Sequence, residues 1–358
     1  MYDQVLNFDE WAKLAGRQEP DEAVKPANPV DIPTASKKTM SASPEDLEFR
    51  RKKHAQASDA GYMQEFIDDI VSGDGLYYVS TGFNKLDNLL GRGLCEGLYV
   101  IGAISSLGKT TFMMQMANQI AKAGNDVSIF SMETKKKRLI ACNISRLTLI
   151  DAIKNGGNEK DAKTAIDILD RAAYSNYSQQ EMDRIQRAMS AYMEYAGNIH
   201  TYEGSSNTDA RQIIESVQEH IDLTGKKPVV IIDYLQLLAP GDMHATDKQN
   251  IDKTVEDLSC FARDCSLPVV VISSFNRSNY NGPVTMEAFK ESGNIEYSSD
   301  VLLGLQLKGV GSKDFDVNIQ KAKNPREIEL VVLKNRINNV GCKDTMKYYP
   351  KFGYFKEV

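Results

Sequence analysis

The chain has 358 residues, of which 42% are apolar, and its 43 Lys and Arg against 49 Asp and Glu give a formal charge of −6. An acidic balance excludes a polycation that coats nucleic acid, so any nucleic-acid contact must be local. The five cysteines are odd in number and form no C-x-x-C pair, which indicates neither a disulfide framework nor a zinc site. With no apolar run as long as a membrane span and no signal-peptide pattern, we expect a cytoplasmic protein without membrane contact.

Residues 1–60 hold five of the eleven prolines and few large apolar residues, which predicts a mostly disordered N-terminal tail. Two islands interrupt it: a short amphipathic turn around Trp11 and a helix start at Ser43-Pro44. Residues 61–75 then place apolar side chains at helical spacing, which predicts an amphipathic linker helix: Met63, Phe66, Ile67, Ile70 and Val71. The spacing leaves open whether this stripe packs on its own domain or on a neighbouring subunit.

Residues 76–358 are predicted to form one α/β domain. Short apolar runs alternate with helical patterns up to about residue 300, which is typical of a mainly parallel sheet flanked by helices. Beyond residue 300 the strands follow one another without intervening helices. We therefore expect an antiparallel C-terminal edge on this sheet.

The strongest motif is the loop Ala103-Ile-Ser-Ser-Leu-Gly-Lys-Thr-Thr111, between a predicted strand and a predicted helix. In this context loop N–H groups and the helix N-terminus cradle phosphates, Lys109 reaches the β- and γ-phosphates, and the Thr110 hydroxyl binds Mg²⁺. The motif predicts a nucleoside triphosphate site formed by Ser105, Ser106, Leu107, Gly108, Lys109, Thr110 and Thr111. Ala103 stands where the usual pattern has Gly, and the alternative is a chance surface turn.

Two further apolar runs end in carboxylates. Asp233 closes the run that begins at Pro228, and a charge there needs compensation, which Mg²⁺ opposite Thr110 would supply. The alternative is an Asp that caps the following turn. Glu133 closes the run that begins at Val127, where it would orient the attacking water, but an acid in the first turn of the next helix is equally ordinary. Spacing alone does not decide between these two interpretations of Glu133.

The order of motifs over residues 61–358 resembles the C-terminal motor domain of DnaB-type replicative helicases, a hexameric RecA-like group. Seven blocks carry the resemblance: Ser80-Thr-Gly-Phe-Asn-Lys-Leu-Asp87, residues 103–111, Phe130-Ser-Met-Glu133, Ile232-Asp-Tyr-Leu-Gln236, Phe275-Asn-Arg277, Glu291-Ser-Gly-Asn-Ile-Glu296 and Leu333-Lys-Asn-Arg336. The resemblance implies a RecA-like P-loop NTPase core and an ATP-hydrolysing DNA helicase. The family often has Ala at the position of Ala103, and its catalytic glutamate falls on Glu133.

The resemblance also implies roles in assembly and DNA binding. Lys334 and Arg336 match the pair that reaches the γ-phosphate of a neighbouring subunit, and Lys290, Glu291 and Gly293 match the central-channel loop that holds one DNA strand. Residues 241–249 are a weaker candidate for a second channel loop. The implied partners are single-stranded and forked DNA and further copies of the chain in a ring, expected to be a hexamer.

Two departures from the family matter. Ser274 stands where the family usually has a Gln sensor, and residues 1–60 are too short for the family's N-terminal collar, so binding to primase or a helicase loader does not carry over directly. The chain is then either a compact helicase or the motor half of a longer primase–helicase. Two other functions remain open: a RecA- or RadA-like recombination or repair ATPase, and an ATP-gated platform that binds DNA without productive turnover.

Overall fold

The computed structural model describes residues 43–72, 77–205, 207–275, 282–289 and 293–358. They fall into two units, one ending at Tyr77 and the other spanning Tyr78–Val358. Among the described residues, no helix combines the length and the apolar character needed to cross a bilayer. The turn predicted around Trp11 lies outside the described residues.

The first unit contains two helices, α1 (Pro44–Gln56) and α2 (Asp59–Ser72). A capping box starts α1: the Ser43 hydroxyl accepts from the Asp46 N–H at 3.1 Å, and the Asp46 carboxylate accepts from the Ser43 N–H at 3.2 Å. The predicted helix start at Ser43-Pro44 is confirmed. The predicted apolar stripe lies on α2, none of whose described residues is buried. The domain boundaries given above stay a prediction.

The second unit is built on a nine-stranded sheet, ordered β3-β2-β4-β5-β1-β6-β7-β8-β9. Its strands are β1 (Gly97–Ala103), β2 (Val127–Ser131), β3 (Ile199–Glu203), β4 (Val229–Asp233), β5 (Pro268–Ser274), β6 (Val301–Leu307), β7 (Arg326–Asn335), β8 (Lys343–Tyr349) and β9 (Tyr354–Glu357). The first six strands in the order are parallel, and β7, β8 and β9 extend the sheet in antiparallel pairing. The predicted α/β class with an antiparallel C-terminal edge is confirmed.

Helices connect the parallel strands and cover the sheet. They are α3 (Asn84–Leu90), α4 (Lys109–Lys122), α5 (Lys136–Lys154), α6 (Ala165–Leu169), α7 (Gln179–Met193), α8 (Ala210–Thr224), α9 (Asp247–Asp264), α10 (Gly293–Ser298) and α11 (Val317–Ala322). Every residue of β1, β2 and β4 is buried, as continuous apolar runs predict for parallel strands covered on both faces. In β8 exposure alternates along the strand, which is typical of an antiparallel edge.

The register of the parallel strands positions the predicted site. Ala103 lies beside Ser274 at the carboxyl ends of β1 and β5, and Ser131 lies beside Asp233 at the ends of β2 and β4. The Met132 N–H donates to the Asp233 carbonyl at 2.8 Å, which fixes the chain just before Glu133. The loop after β1, the acid of β4 and the acid after β2 therefore share one edge of the sheet.

Candidate active site

The loop between β1 and α4 is a tight turn. Ser106 has a φ of 65°, and Gly108, which caps α4, has a φ of 89°. A Cβ on Gly108 would lie 2.7 Å from the ring of Tyr348, so glycine is required here by backbone conformation and by space. Leu107 is fully buried and anchors the loop, whereas Ser105 and Ser106 are exposed. The loop thus presents its backbone at the N-terminus of α4, as a phosphate cradle requires.

Lys109 folds back over this loop. Its Nζ donates to the Ala103 carbonyl at 2.9 Å and to the Ile104 carbonyl at 3.4 Å. Burial lowers its pKa to about 8, while the negative charges of Asp233 and Glu133 act in the opposite direction and the charge of Lys321 lowers it further. Lys109 is therefore a partly desolvated cation at the mouth of the cradle.

Asp233 ends β4 with a side chain that is 2% exposed. Burial raises its pKa to about 6 and Glu133 adds to the rise, while a hydrogen bond from Thr110 and the charge of Lys109 oppose it. Its Oδ2 is buried with no hydrogen-bond partner among the described residues. A buried carboxylate oxygen without a partner, beside a threonine hydroxyl, fits a divalent cation with oxygen ligands such as Mg²⁺.

Glu133 follows the end of β2, with an exposed side chain. Its charge acts on both Lys109 and Asp233. The structure therefore brings together four of the predicted residues: Lys109, Thr110, Asp233 and Glu133. The sheet register, rather than sequence proximity, produces this arrangement, because β4 pairs directly with β2.

Lys334 and Arg336 lie away from this cluster, at the opposite edge of the sheet. The Lys334 Nζ donates to the backbone carbonyls of Glu296, Tyr297 and Ser299, and Arg336 pairs with Asp300 at 2.9 Å. Asp300 precedes β6 and accepts from the Leu98 N–H at 2.8 Å, at the amino end of β1. Leu98 and Ala103 are five residue steps apart along β1, a distance of about 16 Å. The structure does not bring Lys334 or Arg336 to the P-loop of their own chain.

Two residues at the P-loop were missed by sequence reasoning, Arg326 and Tyr348. Arg326 Nη1 donates to the Ser106 carbonyl at 3.0 Å, and its guanidinium lies 5.5 Å from the centre of the Tyr348 ring. The Tyr348 hydroxyl lies 3.4 Å from the Thr111 hydroxyl. The Nε of Arg326 is buried without a hydrogen-bond partner among the described residues. No local motif marks either residue, because the antiparallel pairing of β7 with β8 brings them to the loop.

The predicted DNA contacts are only partly described. Lys290 and Glu291 lie outside the described residues, as do Asn276 and Arg277, while Gly293 begins α10. The DNA-binding assignment therefore stays a prediction.

Ser274, at the departure from the family pattern, ends β5 beside a glutamine from the short 3-10 turn that follows β4. Gln236 accepts from the Ser274 N–H at 3.4 Å and donates to the Ser273 hydroxyl at 3.0 Å. In the candidate second channel loop, Lys248 is exposed in the first turn of α9.

A family model described as the DnaB-like helicase C terminal domain matches residues 78–357. The chain belongs to this family. The match covers nearly the whole second unit, which spans Tyr78–Val358. The resemblance inferred from seven motifs is thereby confirmed.

Curated relatives and solved structures agree with the family assignment. A replicative DNA helicase DnaB from Geobacillus stearothermophilus is 24% identical over 281 residues, covering 76% of this chain and 56% of the relative. Another from Synechocystis sp. is 29% identical over 240 residues, covering 66% of this chain and 25% of the relative. The chain thus spans about half or less of these relatives.

Two solved structures share the fold. One, described as an ATPase domain, has a TM-score of 0.69 at 22% identity and covers 84% of this chain and 99% of its own. The other, a DnaB-like replicative helicase described with its interactions with primase, has a TM-score of 0.67 at 23% identity and covers 84% and 67%. These likenesses confirm the RecA-like fold of the second unit.

Proposed function

We propose that this chain is the ATP-hydrolysing motor of a replicative-type DNA helicase, which assembles into a ring and moves along single-stranded DNA to unwind duplex. The observation that carries the proposal is the convergence of Lys109, Thr110, Asp233 and Glu133 at one edge of the sheet in a member of the DnaB-like family. Family membership supports nucleotide hydrolysis.

In this proposal the cradle Ser105–Thr111 binds the phosphates of ATP, and Thr110 and Asp233 hold Mg²⁺. The metal, when bound, supplies positive charge that stabilises the phosphate oxygens. Lys109 neutralises the β- and γ-phosphates. Glu133 is exposed beside these groups, and it orients the attacking water and accepts its proton.

Lys334 and Arg336 are proposed to serve the neighbouring subunit. Their position about 16 Å along β1 from the loop supports a role in trans, since neither reaches the P-loop of its own chain. A cation supplied by the next subunit stabilises transition-state charge only when that subunit is seated. Hydrolysis would therefore depend on assembly, and a homo-hexamer is the expected form.

The proposed DNA contact is the loop of Lys290, Glu291 and Gly293. One small contact per subunit with the sugar–phosphate backbone explains how a chain of charge −6 holds a DNA strand without sequence preference. The DnaB-like helicase that shares this fold is described with its interactions with primase. A primase or a helicase loader is accordingly a proposed partner of this chain.

The test is a forked-duplex unwinding assay with ATP, run beside a measurement of particle size with and without nucleotide, with Lys109→Ala as the inactive control. We expect ATP-dependent unwinding by closed rings. ATP-dependent helical filaments on single-stranded DNA, without unwinding, would indicate instead a RecA- or RadA-like recombination ATPase. DNA binding with no turnover in any assembly state would indicate an ATP-gated platform.

A further inference from the structure

Three side chains with metal-binding atoms meet at the amino ends of β2 and β3, away from the nucleotide site. Asp126 directly precedes β2, His200 is the second residue of β3, and His220 lies on α8. His200 and His220 are two of only four histidines in the chain. Since Glu133 lies beyond the other end of β2, the two sites are separated by about 20 Å of extended chain.

The three side chains have the spacing of a ligand set. One ligand atom from each residue can be chosen so that all three lie within 4.8 Å of one another. The His220 Nε2 lies 3.2 Å from the Asp126 Oδ2. Metal–ligand bonds of about 2.0–2.1 Å in tetrahedral geometry place ligand atoms about 3.3 Å apart. Asp126 Oδ2 and His220 Nε2 are therefore already at the spacing of two ligands of one metal ion. His200 is only partly buried, so its side chain has room to move into the third ligand position.

The His220 Nε2 is an unsatisfied polar atom. His220 is 5% exposed, and its Nε2 is inaccessible with no hydrogen-bond partner among the described residues, although the Asp126 carboxylate is close. Their geometry therefore brings two polar atoms together without forming a hydrogen bond. A buried nitrogen without a hydrogen-bond partner, close to a carboxylate oxygen, is what a shared cation satisfies.

Two further contacts position the ligand side chains. Asp126 Oδ1 pairs with Lys226 Nζ at 3.2 Å, which orients the carboxylate and leaves Oδ2 toward the histidines. The His200 and His220 rings meet edge to face, with centroids 4.6 Å apart.

We propose that Asp126, His200 and His220 bind one Zn²⁺ ion, with water in the remaining position on the exposed side of His200. Two imidazoles and one carboxylate suit zinc, whereas Mg²⁺ and Ca²⁺ prefer oxygen ligands alone. Cysteine spacing gave no sign of zinc, and this site uses no cysteine. Bound zinc would join the edge strand β3 to β2 and α8, stabilising the outer part of the sheet.

The experiment uses the full chain, stripped of metal and then dialysed against Zn²⁺ in excess Mg²⁺. Metal content is measured by mass spectrometry for the wild type, His200→Ala and Asp126→Asn. The matched control is His244→Ala, which removes an exposed histidine outside the proposed ligand set. We expect one equivalent of zinc in the wild type and in this control, and its loss in both ligand variants.

Two further measurements keep the result interpretable if a variant folds poorly. Co²⁺ substitution in the wild type should give visible ligand-field bands without the near-ultraviolet band of a cobalt–thiolate bond, which separates this site from the five cysteines. Zn²⁺ should also raise the melting temperature of the wild type but not of His200→Ala. Equal zinc content in the wild type and both ligand variants, a thiolate band, or no zinc bound by the wild type would each overturn the proposal.

Discussion

Arg326 begins β7, and Arg336 directly follows the last residue of the same strand. Arg326 donates to the Ser106 carbonyl in the P-loop of its own chain, whereas Arg336 pairs with Asp300 at the amino end of β6. The strand spans ten residues, so the two arginines are separated by about 30 Å along it. One arginine contacts the P-loop of its own chain, and the other is proposed to serve a site in another subunit.

Arg336→Ala subunits mixed into wild-type assemblies should depress ATPase activity more than dilution alone. Each altered subunit would disable the site of its neighbour, and fingers of this kind contribute on the order of 10³–10⁵ in rate. Steady-state ATPase measured against the mixing ratio checks this. Activity strictly proportional to the wild-type fraction would refute a role in trans.

Glu133→Gln should preserve ATP binding and slow hydrolysis, because the amide keeps the shape of the side chain but cannot accept a proton. A loss of about 10²–10⁴ in turnover is expected for a general base. Binding of a fluorescent ATP analogue and single-turnover hydrolysis separate the two effects. Glu203→Gln is a matched control, since Glu203 ends the neighbouring strand β3 and accepts from the Lys136 N–H. Lost binding in Glu133→Gln would point to a structural role.

ATP affinity should fall as the pH rises through about 8. Burial lowers the pKa of Lys109 to about 8, so the free protein loses this positive charge over a range where an ordinary lysine remains charged. Because the charged form binds phosphate, the dissociation constant should rise by about tenfold per pH unit above the pKa. Equilibrium binding at constant Mg²⁺ across neutral and alkaline pH measures this. A constant affinity up to about pH 10 would contradict the assignment.

Arg326→Ala should weaken ATP binding by about threefold to tenfold, or about 0.5–1.5 kcal/mol, since one hydrogen bond from a charged donor to the P-loop backbone is lost. Arg326 is partly exposed, so solvent screening places the expected loss of binding free energy at the lower end for hydrogen bonds from charged donors. Titration with ATP analogue measures the change. Lys351→Ala, which removes an exposed cation after β8, should leave binding intact. An unchanged affinity in Arg326→Ala would show that the loop holds its shape without this contact.

Lys290→Ala should weaken binding to single-stranded DNA and reduce its salt dependence. Each lost phosphate contact lowers the slope of log affinity against log salt by about 0.7. The measurement is binding to a labelled oligonucleotide over a range of salt, with Lys154→Ala, an exposed lysine at the end of α5, as the control. An identical slope for the wild type and Lys290→Ala would remove Lys290 from the channel.

Much of the fold was predictable because its signals are local. Buried runs such as Val229–Asp233 and Gly97–Ala103 are apolar throughout, which marks parallel strands, and the change after residue 300 marks the antiparallel edge. The acids Asp233 and Glu133 were predictable for the same reason, since each ends such a run. Their convergence then follows from the pairing of β2 with β4.

The contacts of the antiparallel edge were not predictable from local pattern. Arg326 and Tyr348 reach the P-loop only through the register of β7 and β8, and sequence neighbours of neither residue carry a nucleotide-binding pattern. The same holds for the site of Asp126, His200 and His220, whose members come from two strand ends and a helix. Because these residues are distant in the sequence and are brought together by long-range contacts, no local spacing identifies them as a site.

The placement of Lys334 and Arg336 opposite the P-loop also constrains symmetry. If Lys334 and Arg336 serve another subunit as proposed, each subunit has a nucleotide site at one edge of the sheet and the cations for a second such site at the far edge. In a twofold pair, a compact interface would engage only one of these edges, whereas head-to-tail stacking satisfies both in every subunit. Repeated head-to-tail contacts either close into a ring or continue as a helix, and the rotation between neighbours decides which.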